Sequence, residues 1–283
     1  MLKYILFLLT QYYYTVVEAR FNEICDKVTS YQIRVLLEKA PADSLDKCGI
    51  NPAEALIITD EPGTARKMFG DGYYVVILYH EHNGHLKFPP VKYGVEDVFM
   101  LEYQSYEEVY KRLAGLPWDI LETDRLKVRE STVEDVDEFY RIYKEPSITL
   151  YMENLYTERE AELAYMRAYI DQIYGFYGYG LWTVILKKTG QVIGKAGLSV
   201  REGYEMPELG FVIDVEHQHQ GYGYEVCTAI LRYAKKELLF DEVQALVKKE
   251  NLFSVRLLDK LGFVFMRDVI EKNTDYRLYV RHG

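Results

Sequence analysis

The pattern of apolar and polar positions is clearest in the second half of the chain. Seven segments alternate or are rich in β-branched and aromatic residues, and we predict strands at 125–130, 181–186, 192–200, 208–214, 243–247, 263–266 and 276–280. Apolar residues at helical spacing predict helices at 132–143, 157–174, 224–239 and 251–262. This order predicts a mixed sheet with helices on both faces.

The first half of the chain has a less regular pattern. Residues 2–28 are predicted as a long core helix and residues 31–40 as a second helical stretch. Apolar runs at 55–59 and 73–79, and a weaker one at 97–101, predict strands. Asp60 is predicted to cap a helix that ends near residue 70, and another helix is expected at 105–113. Strands that alternate with helices favour a short parallel sheet.

Pro117 breaks the preceding helix and marks a boundary between two domains. We therefore predict an α/β (α+β) protein with a small α/β domain over residues 1–118 and a second domain over residues 119–283. The first nineteen residues also resemble a weak signal peptide, but they include Gln11, three consecutive tyrosines and Glu18. A core helix fits them better, and the apolar run is shorter than the ~20 residues that a membrane span needs.

Composition narrows the range of partners. The chain of 283 residues is 49% hydrophobic and 28% charged, so it can bury a core, and its net charge is -10. A sequence pI near 5.2 argues against a nucleic-acid surface, and we expect no membrane partner. Cys25, Cys48 and Cys227 have no metal-ligand spacing and are expected to be reduced, which favours a cytoplasmic protein without a metal.

One stretch, residues 207–239, combines a strand, a glycine turn and a helix. The strand leads into Gln218-His219-Gln220-Gly221-Tyr222-Gly223, and the helical period begins directly afterwards. A helix start has unpaired N–H groups and a partial positive charge, and glycine lets a ligand approach the backbone, so this order suits a phosphate group. The spacing differs from G-x-G-x-x-G and from the P-loop.

Gln218-x-x-Gly221-x-Gly223 resembles the pyrophosphate loop of the GNAT superfamily of N-acetyltransferases. The preceding segment 208–214 and the later Asn251-Leu252-Phe253-Ser254, followed by Lys260-Leu261-Gly262-Phe263, are similar to two further motifs of that family. The resemblance covers residues 123–279 and is closest to the ribosomal-protein N-acetyltransferase-like branch. It implies an acetyl-CoA-dependent transfer of an acetyl group to a primary amine, either a protein N-terminus or a small molecule.

The resemblance also implies roles for individual residues. Acetyl-CoA is expected to contact the backbone of the strand end, the glycine loop and the start of the later helix, at Ile213, Val215, Gln218, His219, Gln220, Gly221, Tyr222, Gly223, Tyr224 and Asn251. Glu208 is the candidate general base, and a solvent-facing or ion-paired strand residue is its alternative interpretation. Ser254 is a candidate for contact with the leaving thiolate, or simply a tolerated residue of a helix start.

One position departs from the family pattern. Many members have a tyrosine seven residues after the asparagine, as the acid for the thiolate, and here that position is Leu258. The second hypothesis is therefore an acyl-CoA-binding protein that has lost catalysis, with the first domain as an interaction or regulatory module. The sequence predicts neither the acceptor nor the oligomeric state.

Residues 48–115 faintly resemble half of a haloacid-dehalogenase-like domain, with Asp60, Gly72 and the strand at 75–78 in corresponding positions. No Asp-x-Asp pair follows an early strand, so phosphatase chemistry is not expected. His80, His82 and His85 could be metal ligands, but a polar loop after a strand is the favoured interpretation.

Overall fold

A computed structural model describes residues 1–41, 49–271 and 273–283. Within it the chain divides into two compact units, Met1–Leu116 and Pro117–Gly283. Cys48 lies outside the described residues, while Cys25 and the buried Cys227 are free thiols.

The first unit is a five-stranded, all-parallel sheet in the order β2-β1-β3-β4-β5. Its strands are β1 (Tyr4–Leu9), β2 (Arg34–Lys39), β3 (Ala55–Thr59), β4 (Tyr74–Leu78) and β5 (Tyr93–Val95). Its helices are α1 (Gln11–Ala19), α2 (Phe21–Val28), α3 (Pro62–Gly70) and α4 (Tyr103–Leu113). Both faces of the sheet are covered, since separate clusters of buried side chains lie on the two sides.

Three predictions of helices and strands in this unit are wrong. The long core helix at 2–28 begins instead as the central strand β1, whose residues from Ile5 to Leu9 are fully buried, and helices follow only from Gln11. The helix expected at 31–40 is the parallel strand β2. The strand expected at 97–101 is a single 3₁₀ turn, Val98–Met100, and β5 lies just before it.

The second unit is an eight-stranded mixed sheet in the order β12-β13-β11-β10-β9-β8-β7-β6. Its strands are β6 (Asp119–Glu122), β7 (Leu126–Arg129), β8 (Leu181–Leu186), β9 (Val192–Ser199), β10 (Glu208–Ile213), β11 (Glu242–Lys248), β12 (Val264–Glu271) and β13 (Thr274–His282). The helices are α5 (Val136–Tyr143), α6 (Pro146–Thr149), α7 (Arg159–Tyr169), α8 (Gly175–Tyr177), α9 (Tyr222–Lys236) and α10 (Leu252–Lys260). A π-helical turn, Ile170–Tyr174, follows α7.

The two faces of this sheet have different partners. Leu209 and Ile213 of β10 point into the core that α9 and α10 cover, whereas Val212 points into the core under α5 and α7. The mixed sheet with helices on both faces, preceded by a small parallel sheet, confirms the predicted fold class. The strand β6 was not anticipated by the sequence pattern.

Candidate active site

The sheet of the second unit opens between its two neighbouring parallel strands, β10 and β11. They pair only at Glu208 and Gln244, and β10 continues its pairing with β9 alone. Asp214 N–H donates to Ile193 O of β9, and backbone groups alternate sides along an antiparallel strand. The backbone groups of Phe211 and Ile213 therefore face the gap. A gap of this kind can hold an extended chain by strand-like hydrogen bonds.

A short ordered segment connects the open end of this gap to α9. Asp214 begins a 3₁₀ turn, Val215–His217, and accepts a hydrogen bond from Glu216 N–H. Gln218 turns its side chain back, and its Nε2 donates to Ile213 O at 2.9 Å. The side-chain amide of Gln218 is thus bonded within the loop, and its backbone N–H also donates within the turn, to Val215 O at 3.2 Å.

The turn into α9 leaves a row of backbone donors. His219 has φ 59° and Gly221 has φ 86°, and Gly221 is the residue before the first helical turn. In the part of the chain that the structure describes, the N–H groups from His219 to Tyr224 donate no hydrogen bond. These donors and the helix dipole together form an anion site of the kind that holds phosphate.

Arg125 adds a positive charge to this loop, which the sequence did not indicate. Its Nη1 donates to Gln220 O at 3.1 Å, and its guanidinium lies 4.2 Å from the ring centroid of Tyr222. Arg125 Nε in turn donates to Glu225 Oε2 at 2.6 Å, and Thr123 Oγ1 donates to Glu225 Oε1. Burial alone would raise the pKa of Glu225. The hydrogen bonds from Thr123 and Arg125, together with the charge of Arg125, outweigh it and lower that pKa. The pair fixes a cation beside the free N–H groups.

The helix α10 borders the other side of the gap. Asn251 Oδ1 caps it by accepting from Ser254 N–H at 3.1 Å, so this asparagine has a structural task as well as its predicted contact with acetyl-CoA. Ser254 is half-buried in the first turn. Leu258 is fully buried in the apolar core next to α9. The position therefore contributes packing and offers no proton.

Glu208 lies at the closed end of the gap and is 8% exposed. Arg201 binds its carboxylate in a bidentate ion pair, with Nε donating to Oε2 and Nη2 donating to Oε1 at 2.9 Å. Arg201 Nη1 also donates to Glu271 Oε2 at 2.7 Å. The bond to Glu208 is the main cause that raises the pKa of Arg201 above its usual value. The ion pair holds the carboxylate in one orientation. Each carboxylate oxygen keeps a lone pair for another donor.

The connection between α5 and α7 contacts the open end of the gap. Lys248 Nζ donates to Leu150 O at 3.1 Å, and Tyr151 Oη donates to Glu250 O at 3.3 Å. Both bonds fasten residues 150–151 to the end of β11, next to the start of α10. The hydroxyl of Tyr151 is therefore a donor at the mouth of the gap.

Asp214 and two histidines lie near the loop end of the gap. Asp214 is buried and accepts from Arg141 Nη1 at 2.5 Å. His217 lies 3.6 Å from the same carboxylate, while the exposed His219 packs edge-on against Phe253 at 5.5 Å between ring centroids. The imidazoles thus lie at the loop end of the gap, away from Glu208.

In the first unit, Asp60 is not the helix cap that the sequence predicted. Glu61 caps α3, with its carboxylate accepting from Gly63 and Thr64 N–H. The buried Asp60 carboxylate instead accepts from Thr10 N–H at 2.7 Å and from Thr10 Oγ1 at 2.5 Å, and it contacts His80 Nε2 at 3.2 Å. His80 therefore faces a carboxylate at the carboxyl ends of β1, β3 and β4. Over residues 1–41, 49–271 and 273–283, no cluster of three or more His, Cys, Asp or Glu side chains could hold a metal ion.

Three residues of the site went unrecognised in the sequence: Arg125, Arg201 and Gln244. Gln244 alone gave a signal, because it interrupts an otherwise apolar strand. The helices of the described ranges are all too short or too polar to cross a bilayer.

Comparison with known proteins identifies the class of the second unit. Residues 125–264 match the family model described as acetyltransferase (GNAT) domain. The protein YkkB of Bacillus subtilis (strain 168), itself uncharacterised, is 27% identical over 169 residues, which are 57% of this chain and 94% of YkkB. The uncharacterised N-acetyltransferase YoaA of the same strain is 28% identical over 147 residues, 51% of this chain and 82% of YoaA.

Solved structures have the same fold as this unit. A GnaT-family acetyltransferase from Bordetella pertussis superposes with a TM-score of 0.51 at 22% identity, covering 58% of this chain and 99% of that one. The ribosomal L7/L12 α-N-protein acetyltransferase RimL, in complex with coenzyme A, gives a TM-score of 0.50 at 13% identity over 58% and 98% of the two chains. The second unit is thus a GNAT N-acetyltransferase domain, a fold that uses acetyl-CoA. Ribosomal-protein acetyltransferases are among its structural neighbours.

Proposed function

We propose that this chain is an active N-acetyltransferase that moves the acetyl group of acetyl-CoA directly to a primary amine. The observation that carries the proposal is the β10–β11 gap, which leads from the free N–H groups at His219–Tyr224 to the carboxylate of Glu208. From Ile213 to Glu208 the strand rises about 17 Å, at ~3.3 Å per residue. An extended pantetheine arm fits such a path, with the pyrophosphate at one end and the thioester at the other.

In this proposal the backbone of β10 polarises the thioester. The pyrophosphate accepts hydrogen bonds from the loop, with Arg125 beside it. The pantetheine amides pair with the N–H of Ile213 and with the backbone of Val215, two residues further along the chain. The N–H of Phe211, which faces the gap, is then a donor for the developing oxyanion. Preorganised N–H donors of this type contribute about 3–4 kcal/mol to the stabilisation of an oxyanion transition state.

Glu208 acts as the general base through one water. The acceptor reaches the thioester as an ammonium and must lose a proton before its nitrogen can attack. The carboxylate lies at the thioester end of the gap, and the ion pair with Arg201 holds it in one orientation. A carboxylate with one defined orientation can hold a water in the geometry that the proton transfer needs.

The leaving thiolate needs a proton that Leu258 cannot supply. Ser254, in the first turn of α10, and Tyr151, whose hydroxyl donates to Glu250 O, have hydroxyls at the mouth of the gap. We assign the thiolate contact to Ser254 as the sequence motif implies, and Tyr151 is the second candidate.

The acceptor is a primary amine, on a protein N-terminus or a small molecule. The acidic chain and the carboxylates of Glu208 and Glu271 favour an acceptor with positive charge. For the first unit we propose a non-catalytic, interaction or regulatory role in a cytoplasmic protein. Its Asp60 carboxylate is occupied by Thr10 and His80, and the residue after β1 is a threonine rather than a nucleophilic aspartate.

The alternative is an acyl-CoA-binding protein that has lost catalysis, and Leu258 is the observation in its favour. Calorimetry with acetyl-CoA and thiol release with a panel of amines separate the two. The proposal predicts micromolar-range binding and thiol release that depends on the amine. Binding without turnover of any peptide N-terminus, polyamine or aryl alkylamine would favour the alternative.

A further inference from the structure

Gln244 is a fully buried polar side chain in the middle of the sheet. It has 0% exposure, and within the described ranges neither Oε1 nor Nε2 makes a hydrogen bond. Only its backbone is paired, with N–H donating to Pro207 O at 2.9 Å. An amide buried without a partner costs ~1–3 kcal/mol, so an apolar residue would serve the fold better at this position.

The register of the sheet places this amide beside the candidate base. Gln244 is directly opposite Glu208 on β10 and opposite Val280 on β13. Its chain neighbours Val243 and Ala245 belong to the core under α9, and side chains alternate along a strand. Gln244 therefore lies on the other face, the face of α5 and α7, where neighbouring strands are ~4.8 Å apart.

We propose that Gln244 is a positioning residue, which orients the water that carries the acceptor's proton to Glu208. The inference rests on the proposed acetyl transfer. The water accepts a proton from the ammonium and gives one of its own protons to the Glu208 carboxylate, so the amine becomes neutral and the water is restored. Its other hydrogen is donated to Gln244 Oε1, which points the water's lone pair at the ammonium.

This role explains why a polar side chain occupies an apolar strand. Arg201 donates to both oxygens of Glu208, so a water can bind the carboxylate from only a few directions. An amide oxygen on the neighbouring strand supplies the second fixed point that a single water needs. Gln244 does not itself change its protonation state, so it acts through Glu208.

The test is Gln244→Met, which keeps the length of the side chain and removes both hydrogen-bonding groups. Turnover of acetyl-CoA with an accepted amine should fall at least tenfold, KM for acetyl-CoA should stay the same, and Tm should be unchanged or higher. A purely structural glutamine would show the reverse, with a lower Tm and nearly normal turnover. Thr228→Val is the matched control. The Thr228 hydroxyl, on α9, is also buried and has no hydrogen-bond partner among the described residues. It should leave turnover unchanged.

A double-mutant cycle shows whether Gln244 acts through Glu208. In the Glu208→Gln background, Gln244→Met should lower the rate by less than about threefold, because the relay is already broken. Multiplicative losses in the double variant would overturn the inference, as would a Gln244→Met enzyme with wild-type turnover. Absence of thiol release by the wild type with every amine would contradict the proposed function, and this role for Gln244 with it.

Discussion

Replacing Gly221 by valine probes the loop that is proposed to hold the pyrophosphate. Gly221 has φ 86°, immediately before the first turn of α9. An L-residue pays about 1–2 kcal/mol in this left-handed region, and a β-branched one pays more. A Cβ at this position would be 3.5 Å from Arg125 Nη2, an ordinary contact, so the backbone angle rather than a collision determines the strain.

Two consequences follow from this strain. If the backbone keeps its angle, the fold loses stability and two methyl groups stand beside the free N–H groups. If the backbone relaxes to a negative φ, the N–H groups that follow Gly221 turn away from a common point. Either way acetyl-CoA binding should weaken at least tenfold, equivalent to about 1.4 kcal/mol.

Gly190→Val is the matched control for backbone strain. Gly190 has φ 74° in the turn between β8 and β9, and nothing lies within 4 Å of a Cβ built there. Both variants should show a similar fall in Tm, but only Gly221→Val should lose acetyl-CoA affinity in calorimetry. A folded Gly221→Val protein that binds acetyl-CoA as tightly as the wild type would show that the site is misplaced.

Three further predictions concern other parts of the chain. Glu208→Gln should lower kcat by a factor of about 10²–10⁴ with little change in acetyl-CoA affinity. The rate of this variant should recover partly as pH rises, because more of the amine is then unprotonated. An unchanged rate would show that Glu208 is structural. The full chain should not hydrolyse an aryl phosphate, and hydrolysis abolished by Asp60→Asn would refute this. Burial lowers the pKa of Lys195 from 10.5 to about 8, so its ammonium destabilises the fold most below pH 8, and that penalty fades as pH rises towards 10.5. Lys195→Met should therefore raise Tm by ~2 °C or more at pH 7 and by little near pH 10.5, and equal gains at both pH values would refute the assignment.

The strands and helices of the second unit were predictable because their patterns are local. Alternation or helical spacing marks nearly every one of them. The first unit was harder because β1 is apolar at all six positions, and a short apolar run fits a buried helix as well as a buried strand. Its position between β2 and β3, which makes it a strand, depends on residues that are 25 or more positions away in the chain.

The same contrast holds for the site. The glycine loop was visible because Gln218, Gly221 and Gly223 are close together in the sequence. Gly221 adopts a left-handed conformation, and the Gln218 side chain bonds back to Ile213 O. Arg125 was not, because it meets the loop only in the folded sheet, 95 residues from Gln220. The ion pair of Glu208 with Arg201 was also hidden, since a single sequence does not show which charged residues pair.

The central claim is that the gap between β10 and β11 holds acetyl-CoA with its thioester at Glu208. A crystal structure of the full chain with coenzyme A tests it most directly. We expect the pyrophosphate within hydrogen-bond distance of the N–H groups of Gly221 to Tyr224, and the pantetheine thiol within ~5 Å of the Phe211 N–H. A coenzyme bound with its pyrophosphate elsewhere, or with β10 and β11 closed into a continuous pair, would contradict the claim.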